Sequence, residues 1–225
     1  LLSAGGSVKM RKAFSTLLIV LGLAMILGAV AQVTSNLQEE KRAGELSHAA
    51  LESLVAVIPS ELRDNAWQNP EIYEDIAEDE IEYPDYILNP DMEMPEFTVD
   101  GVDYIGQLEI PDLELSLPVA SETTGRLLQV APYRYFGTVY RNDLVIGAHN
   151  YFCHFGSIGD LSYGSPVYFT DMDGNVFSYQ VADIEILQPG DVEELCSGEW
   201  PLTLYTCTIG GRTRITVRCE LIESA

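Results

Sequence analysis

The sequence has few positively charged residues. Lys and Arg together number 12 against 35 Asp and Glu, which gives a formal net charge of −23 at pH 7. Because proteins that bind nucleic acids neutralise phosphates with Lys and Arg, this balance excludes a nucleic-acid partner. The lysines end at Lys41, and every cation after it is an arginine. We expect an acidic, well-solvated surface; the alternative is a preference for cationic or amine-bearing partners.

Motifs for metals and nucleotides are missing as well. The cysteines are Cys153, Cys196, Cys207 and Cys219. They show no C-x-x-C spacing, no histidine pair lies at zinc-finger distance, and no G-x-x-x-x-G-K motif is present. We therefore expect no metal and no cofactor, and one disulfide among Cys153, Cys196 and Cys219 stays open for an extracellular domain. The acidic residues that could suggest calcium are Asp171, Asp173, Asp183 and Glu185. Such clusters are more often a solvated face.

One long uncharged apolar run spans residues 13–33. It has about the ~20 residues that a helix needs to cross a bilayer, so we predict a single transmembrane anchor there. The cations Lys9, Arg11 and Lys12 precede it, which predicts a cytoplasmic N-terminus over residues 1–12 and an extracellular location for the rest. Residues 1–9 precede Met10 and are left out of the fold prediction. A cleaved signal peptide is the alternative, because Ala29-Val-Ala31 resembles a cleavage site. The run is longer than such peptides need, which favours an anchor.

Residues 34–103 are predicted to form a juxtamembrane stalk followed by an acidic linker. The stalk is polar and helix-compatible, and residues 71–103 contain no Lys or Arg and several prolines. Such a composition is typical of an extended, mobile segment. Residues 83–95 are more apolar than a spacer requires, and we expect them to dock on the domain that follows.

The pattern changes from residue 104 onward to short β-type runs separated by turns. These runs are 104–110, 115–119, 143–146, 166–170, 176–186, 202–206 and 214–221. Asp171-Met-Asp-Gly174 is a tight hairpin signal between two of them. Many short strands with little helical periodicity predict an all-β domain over residues 104–225, built as a closed or nearly closed barrel.

Three residues of this domain suggest chemistry. Cys207 ends the run 202–206, His149 ends the buried-type run 144–148, and Arg214 opens the run that follows a Gly-Gly turn. If these strand ends are neighbours, a nucleophile, an acid/base and a permanent cation converge on one rim. A lone Cys or His is more often structural, so the residue pattern by itself leaves the catalytic and structural interpretations about equal.

These residues resemble those of the sortase family. Leu204-Tyr-Thr-Cys207 matches the sortase L-x-T-C signature, and His149 and Arg214 lie in segments equivalent to those of the family histidine and arginine. The run from Tyr104 to Pro111, followed by Leu117-Pro-Val119, looks like the opening strands of a sortase domain. The resemblance covers about residues 104–221 in the family order.

The resemblance implies a closed eight-stranded sortase-type β-barrel with short helices and a cysteine transpeptidase activity. Cys207 would attack the Thr carbonyl of an LPXTG-like sorting signal and form a thioacyl enzyme. His149 would protonate the leaving amine and deprotonate the incoming one, Arg214 would stabilise the oxyanion, and Thr206 would line the groove. The implied partners are sorting-signal proteins and an amine acceptor, either a cell-wall precursor or a pilin lysine.

Several nearby residues compete for these roles. His154 is a second histidine in the loop after His149, and Arg212 competes with Arg214 but lies in the turn. Arg218 shares the strand face of Arg214 by the period of two, yet we expect it to lie too far along to reach the thiol. Cys153 lies close to His149 in sequence and could act as a redox partner in the site; we favour the alternative that it is a loop residue without a catalytic role.

Subclass and alternatives remain open at this level. The sequence shows no second apolar span after the domain, and residues 188–200 are too few for the helical insertion of class B, so the pattern favours class A, D or E. Residues 83–95 are a hypothetical lid over the groove. The alternative functions are a cysteine endopeptidase, in which water resolves the acyl enzyme, and a non-catalytic anchored β-domain.

Overall fold

The structure is a computed structural model that describes residues 4–59, 84–122 and 130–222. The chain divides into two compact units, Leu1–Lys41 and Arg42–Ala225, and each is described by itself. Helix α1 spans Ala4–Val55. Its part from Phe14 is long and apolar enough, by length and composition, to cross a membrane. The apolar side chains from Phe14 to Val33 are exposed.

The second unit is built around a β-barrel of short strands. The strands are β1 (Phe97–Val99), β2 (Val102–Ile110), β3 (Leu115–Ala120), β4 (Tyr133–Phe136), β5 (Leu144–Ala148), β6 (Pro166–Asp171), β7 (Val176–Leu187), β8 (Leu202–Cys207) and β9 (Arg214–Leu221). Two short helices, α2 (Asp85–Leu88) and α3 (Val192–Leu195), and three 3-10 helices, Pro111–Leu113, Val139–Arg141 and Ile158–Asp160, lie between them.

The sheet order β1-β2-β3-β4-β5-β8-β9-β7-β6 is closed by a further pairing between β2 and β6. Strands β2 to β9 therefore form a ring of eight. Strand β1 is a short addition that pairs with β2 and, in the described part of the chain, with no other strand. The β3–β4 and β5–β8 pairs are parallel, and the others are antiparallel. The predicted closed eight-stranded barrel with short helices and an N-terminal apolar helix is confirmed.

The barrel interior is filled by apolar side chains that alternate along the strands. Ile105, Leu144, Ile146, Leu204 and Val217 are almost completely buried and belong to one hydrophobic core. Because successive side chains of a strand point to opposite faces, the residues between them face outward. On β5, β8 and β9 this outward face includes the ends of the strands where the candidate residues lie.

The last turns of α1 belong to the same compact unit as the barrel. Ala43, Ala50 and Leu54 are buried, and Ala50 and Leu54 share a cluster with Tyr104 of β2 and Tyr133 of β4. The spacing of 7 and 4 residues puts Ala43, Ala50 and Leu54 on one face of the helix. The predicted boundaries at residues 33 and 103 stay predictions.

The apolar segment before β1 docks on the barrel. Within residues 84–95, Met94 is buried against the core, and the Tyr86 ring stacks on Tyr140 at 4.9 Å. Asp91 lies 3.8 Å from Arg141, which precedes β5. The described part of the hypothetical lid thus contacts the barrel near the Leu144 end of β5, whereas His149 follows the other end. Residue 83 and the linker before it lie outside the described residues, and the lid stays a prediction.

Candidate active site

Strand pairing brings the three candidate residues to one rim of the barrel. Parallel pairing aligns Ala148 of β5 with Thr206 of β8, so His149 and Cys207 each follow one of these partners. Antiparallel pairing puts Cys207 directly opposite Arg214 of β9. All three side chains are half-buried and therefore accessible. The rim holds a thiol, an imidazole and a guanidinium on three adjacent strand ends, the set that covalent acyl transfer uses.

Thr206 fixes the spacing between two of these strand ends. Its Oγ1 donates a hydrogen bond of 2.9 Å to the carbonyl oxygen of Ala148. The side chain is 1% exposed. The groove-lining role of Thr206 that the resemblance implies stays a prediction. In the structure Thr206 faces inward, and this hydrogen bond ties β8 to β5. Thr206 directly precedes Cys207, and its partner Ala148 directly precedes His149.

Of the two arginines near the turn, Arg214 is the one that faces Cys207. Its Nη1 donates to the carbonyl oxygens of Gly211 at 3.3 Å and Thr213 at 3.2 Å. These contacts hold the guanidinium near the turn and leave its other nitrogen atoms free of any described protein partner. Arg212 is exposed within the turn, so burial does not hold its side chain at the thiol.

The two histidines of the rim loop differ in environment. His154 is completely buried, and burial, with a smaller contribution from His149, lowers its pKa to about 4 despite an opposing interaction with the Val130 backbone. A buried imidazole that stays neutral cannot exchange protons with a substrate at the surface. His149 is half-buried and packs its ring 4.9 Å from that of Tyr151. Accessibility therefore favours His149 as the acid/base.

A groove extends from Arg214 along the outer face of β4, β7 and β8. Its volume is about 260 Å³. The lining residues are Tyr133, Tyr135, Leu187, Gln188, Pro189, Asp191, Val192, Leu195, Tyr205 and Arg214. The sequence prediction did not find this groove. The sequence could have indicated Tyr205, because it lies two residues before Cys207 and so shares its strand face. Tyr133 and the lining residues between 187 and 195 come next to Arg214 only through the fold, so no local pattern indicates them.

Two tyrosines form the floor of this groove. The Tyr133 and Tyr205 hydroxyl groups lie 2.7 Å apart and are buried. Burial raises the pKa of both, so both remain neutral phenols that can donate hydrogen bonds. Gly147 of β5 makes room for the Tyr205 ring, since a Cβ at that position would meet the ring carbon Cζ at 2.6 Å. Cys207 and Arg214 lie close enough to this pair to influence the pKa of Tyr133, which Cys207 raises and Arg214 lowers by less than burial raises it.

The remaining cysteines and carboxylates have structural surroundings. All four cysteines are free thiols. Among the described residues, no three His, Cys, Asp or Glu side chains are grouped as metal ligands would be. Asp171 instead caps the β6–β7 hairpin: its carboxylate accepts hydrogen bonds from the Asp173 and Asn175 backbone and from the Tyr140 hydroxyl. Burial raises its pKa.

Comparison with known proteins supplies a family. A family model described as "Sortase domain" matches residues 108–222, slightly more than half of the chain. Similar solved structures include a Clostridium perfringens sortase D5 transpeptidase, with 22% identity over 54% of this chain and 80% of that chain and a TM-score of 0.48. A lid mutant of Corynebacterium diphtheriae sortase A has 23% identity over 61% and 75%, with a TM-score of 0.47. Sortase C1 from Streptococcus suis has 27% identity over 53% and 73%, with a TM-score of 0.46. No curated protein sequence matches the chain.

Proposed function

Because this chain belongs to the sortase family and is a cysteine transpeptidase, we propose that Cys207 is its nucleophile, acting with His149 and Arg214. The observation that carries this assignment is the pairing of Cys207 with Arg214, beside the aligned end of β5. A thiol held opposite a permanent cation has a partner for the charge that develops on a substrate carbonyl oxygen. The family match, which includes all three residues, supports the same assignment.

The proposed substrate is a protein with an LPXTG-like sorting signal. The Cys207 thiol gives its proton to His149 as its sulfur attacks the carbonyl carbon of the signal threonine, and the Arg214 guanidinium donates to the resulting oxyanion. When the tetrahedral intermediate collapses, the C–N bond to glycine breaks and His149 protonates the departing amine. The part of the substrate that ends in the signal threonine is then joined to Cys207 as a thioester.

The second half-reaction transfers the acyl group to an amine. His149 deprotonates the incoming amine, which attacks the thioester carbonyl. The C–S bond breaks, and His149 returns the proton to sulfur, which regenerates the Cys207 thiol. The proposed acceptor is an amine at the cell surface, either a cell-wall precursor or a pilin lysine. Water in place of the amine would give hydrolysis and hence an endopeptidase.

We further propose that α1 anchors the enzyme in the cell membrane with the barrel on the outer side. The exposed apolar side chains of α1 support a membrane span, and the cations Lys9, Arg11 and Lys12 before it support a cytoplasmic N-terminus. This topology puts the thiol in the compartment where surface proteins and cell-wall precursors are joined.

The test is product analysis with the full-length protein in detergent. A fluorescent LPXTG peptide is incubated with triglycine or a lysine-containing pilin peptide, and mass spectrometry identifies ligated and hydrolysed products. We expect ligation by the wild type, a Cys207-linked acyl adduct without amine, and no product from Cys207→Ala. His149→Ala and Arg214→Ala should each lower kcat/KM at least about 100-fold, whereas the control Cys153→Ser should not.

Three outcomes would refute the proposal. Hydrolysis without ligation under any amine would make the protein an endopeptidase. Full activity of Cys207→Ala would remove the nucleophile assignment, and the absence of both products from the wild type would favour a non-catalytic anchored domain.

A further inference from the structure

Arg218 is a buried charge that the proposed reaction does not use. It lies in the middle of β9 and is 2% exposed. Arg214 precedes it by four residues on the same strand face, about 13 Å away at the usual rise of a strand. A guanidinium cannot lose its proton in a protein and is costly to bury without partners. Its surroundings should therefore be built to satisfy it.

The side chain donates through all three of its nitrogen atoms. Nε donates to the Glu185 carboxylate at 2.7 Å. Nη1 donates to the Thr203 hydroxyl at 3.0 Å and to the Leu195 carbonyl at 3.1 Å. Nη2 donates to the Glu194 carbonyl at 2.8 Å. Arg218 thus links its own strand β9 to β7, to β8 and to helix α3.

Helix α3 is too short to hold its own position. It has one turn, closed by the Leu195 and Cys196 backbone N–H groups, and a helix of this length is not stable alone. The carboxylate of Asp191, at its N-cap, accepts from the Gln188 N–H instead of capping the helix. The Glu194 and Leu195 carbonyls lie at its C-terminal end, where partners within the helix are lacking and a cation is favourable. Arg218 supplies both the hydrogen-bond donors for these carbonyls and the positive charge.

The same helix is one wall of the groove. Asp191, Val192 and Leu195 line it together with Arg214, and Leu195 also packs on Leu187 and Tyr205. From these contacts we propose that Arg218 is a positioning residue that fixes the α3 wall and so sets how tightly the enzyme binds its sorting signal. The proposal rests on the proposed function and deepens it, because it assigns substrate affinity to a residue that does not touch substrate.

The contacts predict a specific kinetic effect. Arg218→Lys keeps the charge but loses the planar fork that reaches four acceptors at once, so the α3 carbonyls lose their donors. The wall then loosens while Cys207, His149 and Arg214 stay in place. We expect KM for the sorting-signal peptide to rise about tenfold or more, with kcat changed less than about threefold. A second variant, Glu185→Gln, keeps a hydrogen-bond acceptor for Nε and should have a smaller effect in the same direction.

The experiment compares these variants with a control that is destabilised elsewhere. Tyr140→Phe removes the buried hydrogen bond to Asp171; Tyr140 belongs to the main core, whereas Leu195 of α3 belongs to a different cluster. Full-length wild type, Arg218→Lys, Glu185→Gln and Tyr140→Phe are compared by thermal unfolding, by KM and kcat for ligation, and by the rate at which iodoacetamide alkylates Cys207. We expect the control to lose stability with KM unchanged, and all variants to be alkylated at the wild-type rate.

Hydrogen exchange of residues 188–196 gives a readout that needs no substrate. Faster exchange there in Arg218→Lys, with the barrel strands unchanged, supports the proposal even if the LPXTG peptide proves not to be a substrate. Unchanged exchange in that segment, or a KM equal to that of the wild type, overturns it. A fall in kcat with constant KM also overturns it, since Arg218 would then act on the reaction centre. If Arg218→Lys does not fold, the Glu185→Gln results decide by the same criteria.

Discussion

Gly147 of β5 is the position where a single methyl group should disturb the candidate site most directly. It lies two residues before His149, and the Tyr205 ring packs over it. In a Gly147→Ala variant the new Cβ would lie 2.6 Å from Cζ and 2.7 Å from the hydroxyl oxygen of Tyr205. Carbon atoms in contact lie about 3.5–4.0 Å apart. The ring must therefore move by roughly 1 Å. Such a movement disturbs the 2.7 Å hydrogen bond between the Tyr205 and Tyr133 hydroxyl groups.

The expected loss of stability follows from three contributions. Inserting a methyl group into a packed site costs about 1–3 kcal/mol, and losing a buried hydrogen bond costs about 1 kcal/mol more. Replacing a strand glycine returns about 0.5–1 kcal/mol, because the unfolded chain loses conformational freedom. Gly147→Ala should therefore lower the free energy of unfolding by about 1–3 kcal/mol. Because the displaced Tyr205 ring enters the groove, kcat/KM for ligation should fall as well.

The assay is urea unfolding of the full-length protein in detergent, followed by peptide ligation. Gly159→Ala is the matched control, because its Cβ would only touch Ile215 at 3.4 Å; it should be neutral. A second change, Tyr205→Val, removes the ring and should make Gly147→Ala nearly neutral in that background. Equal stability of the Gly147→Ala and Gly159→Ala proteins, or an equal loss with and without Tyr205, would refute the reasoning.

Three further predictions concern the barrel itself. Since burial lowers the pKa of His154 from 6.5 to about 4, the unfolded chain takes up its proton first, and stability present above pH 6.5 is lost as the pH falls toward 4. That loss should reach about 2 kcal/mol at pH 5 in urea unfolding and be smaller in His154→Gln. Tyr133→Phe and Tyr205→Phe should each cost about 1 kcal/mol, and the double variant no more than either single one; additive losses would contradict the shared hydrogen bond. Gly106→Ala should cost more than about 2 kcal/mol, because its Cβ would lie 2.1 Å from the carbonyl oxygen of Thr170 across the pairing that closes the barrel; a stable variant would argue against that closure.

Local patterns in the sequence predicted most of the barrel. Runs rich in β-branched and apolar residues, such as those ending at Ala148 and Thr206, form strands as expected. Strand β4, Tyr133–Phe136, was missed. It is short, contains an arginine between aromatic residues and pairs with β5 through a register shift, so its place in the sheet depends on the neighbouring strand. The groove floor at Tyr133 was missed for the same reason.

The two arginines of β9 show where sequence reasoning ends at the site. Arg214 and Arg218 have the same period-two phase, so the pattern separates them only by distance from Cys207. Their burial separates them by role: Arg214 is half-buried beside a turn, and Arg218 is enclosed by acceptors from two other strands and α3. Those acceptors come from Glu185, Glu194, Leu195 and Thr203, and no local motif connects these residues to Arg218.

The extent of the catalytic unit follows from burial. The family match begins at residue 108, whereas the compact unit that contains the barrel begins at Arg42. Leu54 of α1 is fully buried in the cluster that contains Tyr133, and Gly44 lies against Cys153, whose Cβ would be 3.4 Å from an added methyl group. One end of this helix segment therefore packs on the groove floor and the other on the loop that follows His149. The compact unit that contains the candidate site therefore begins at Arg42 and includes this helix segment as well as the barrel strands.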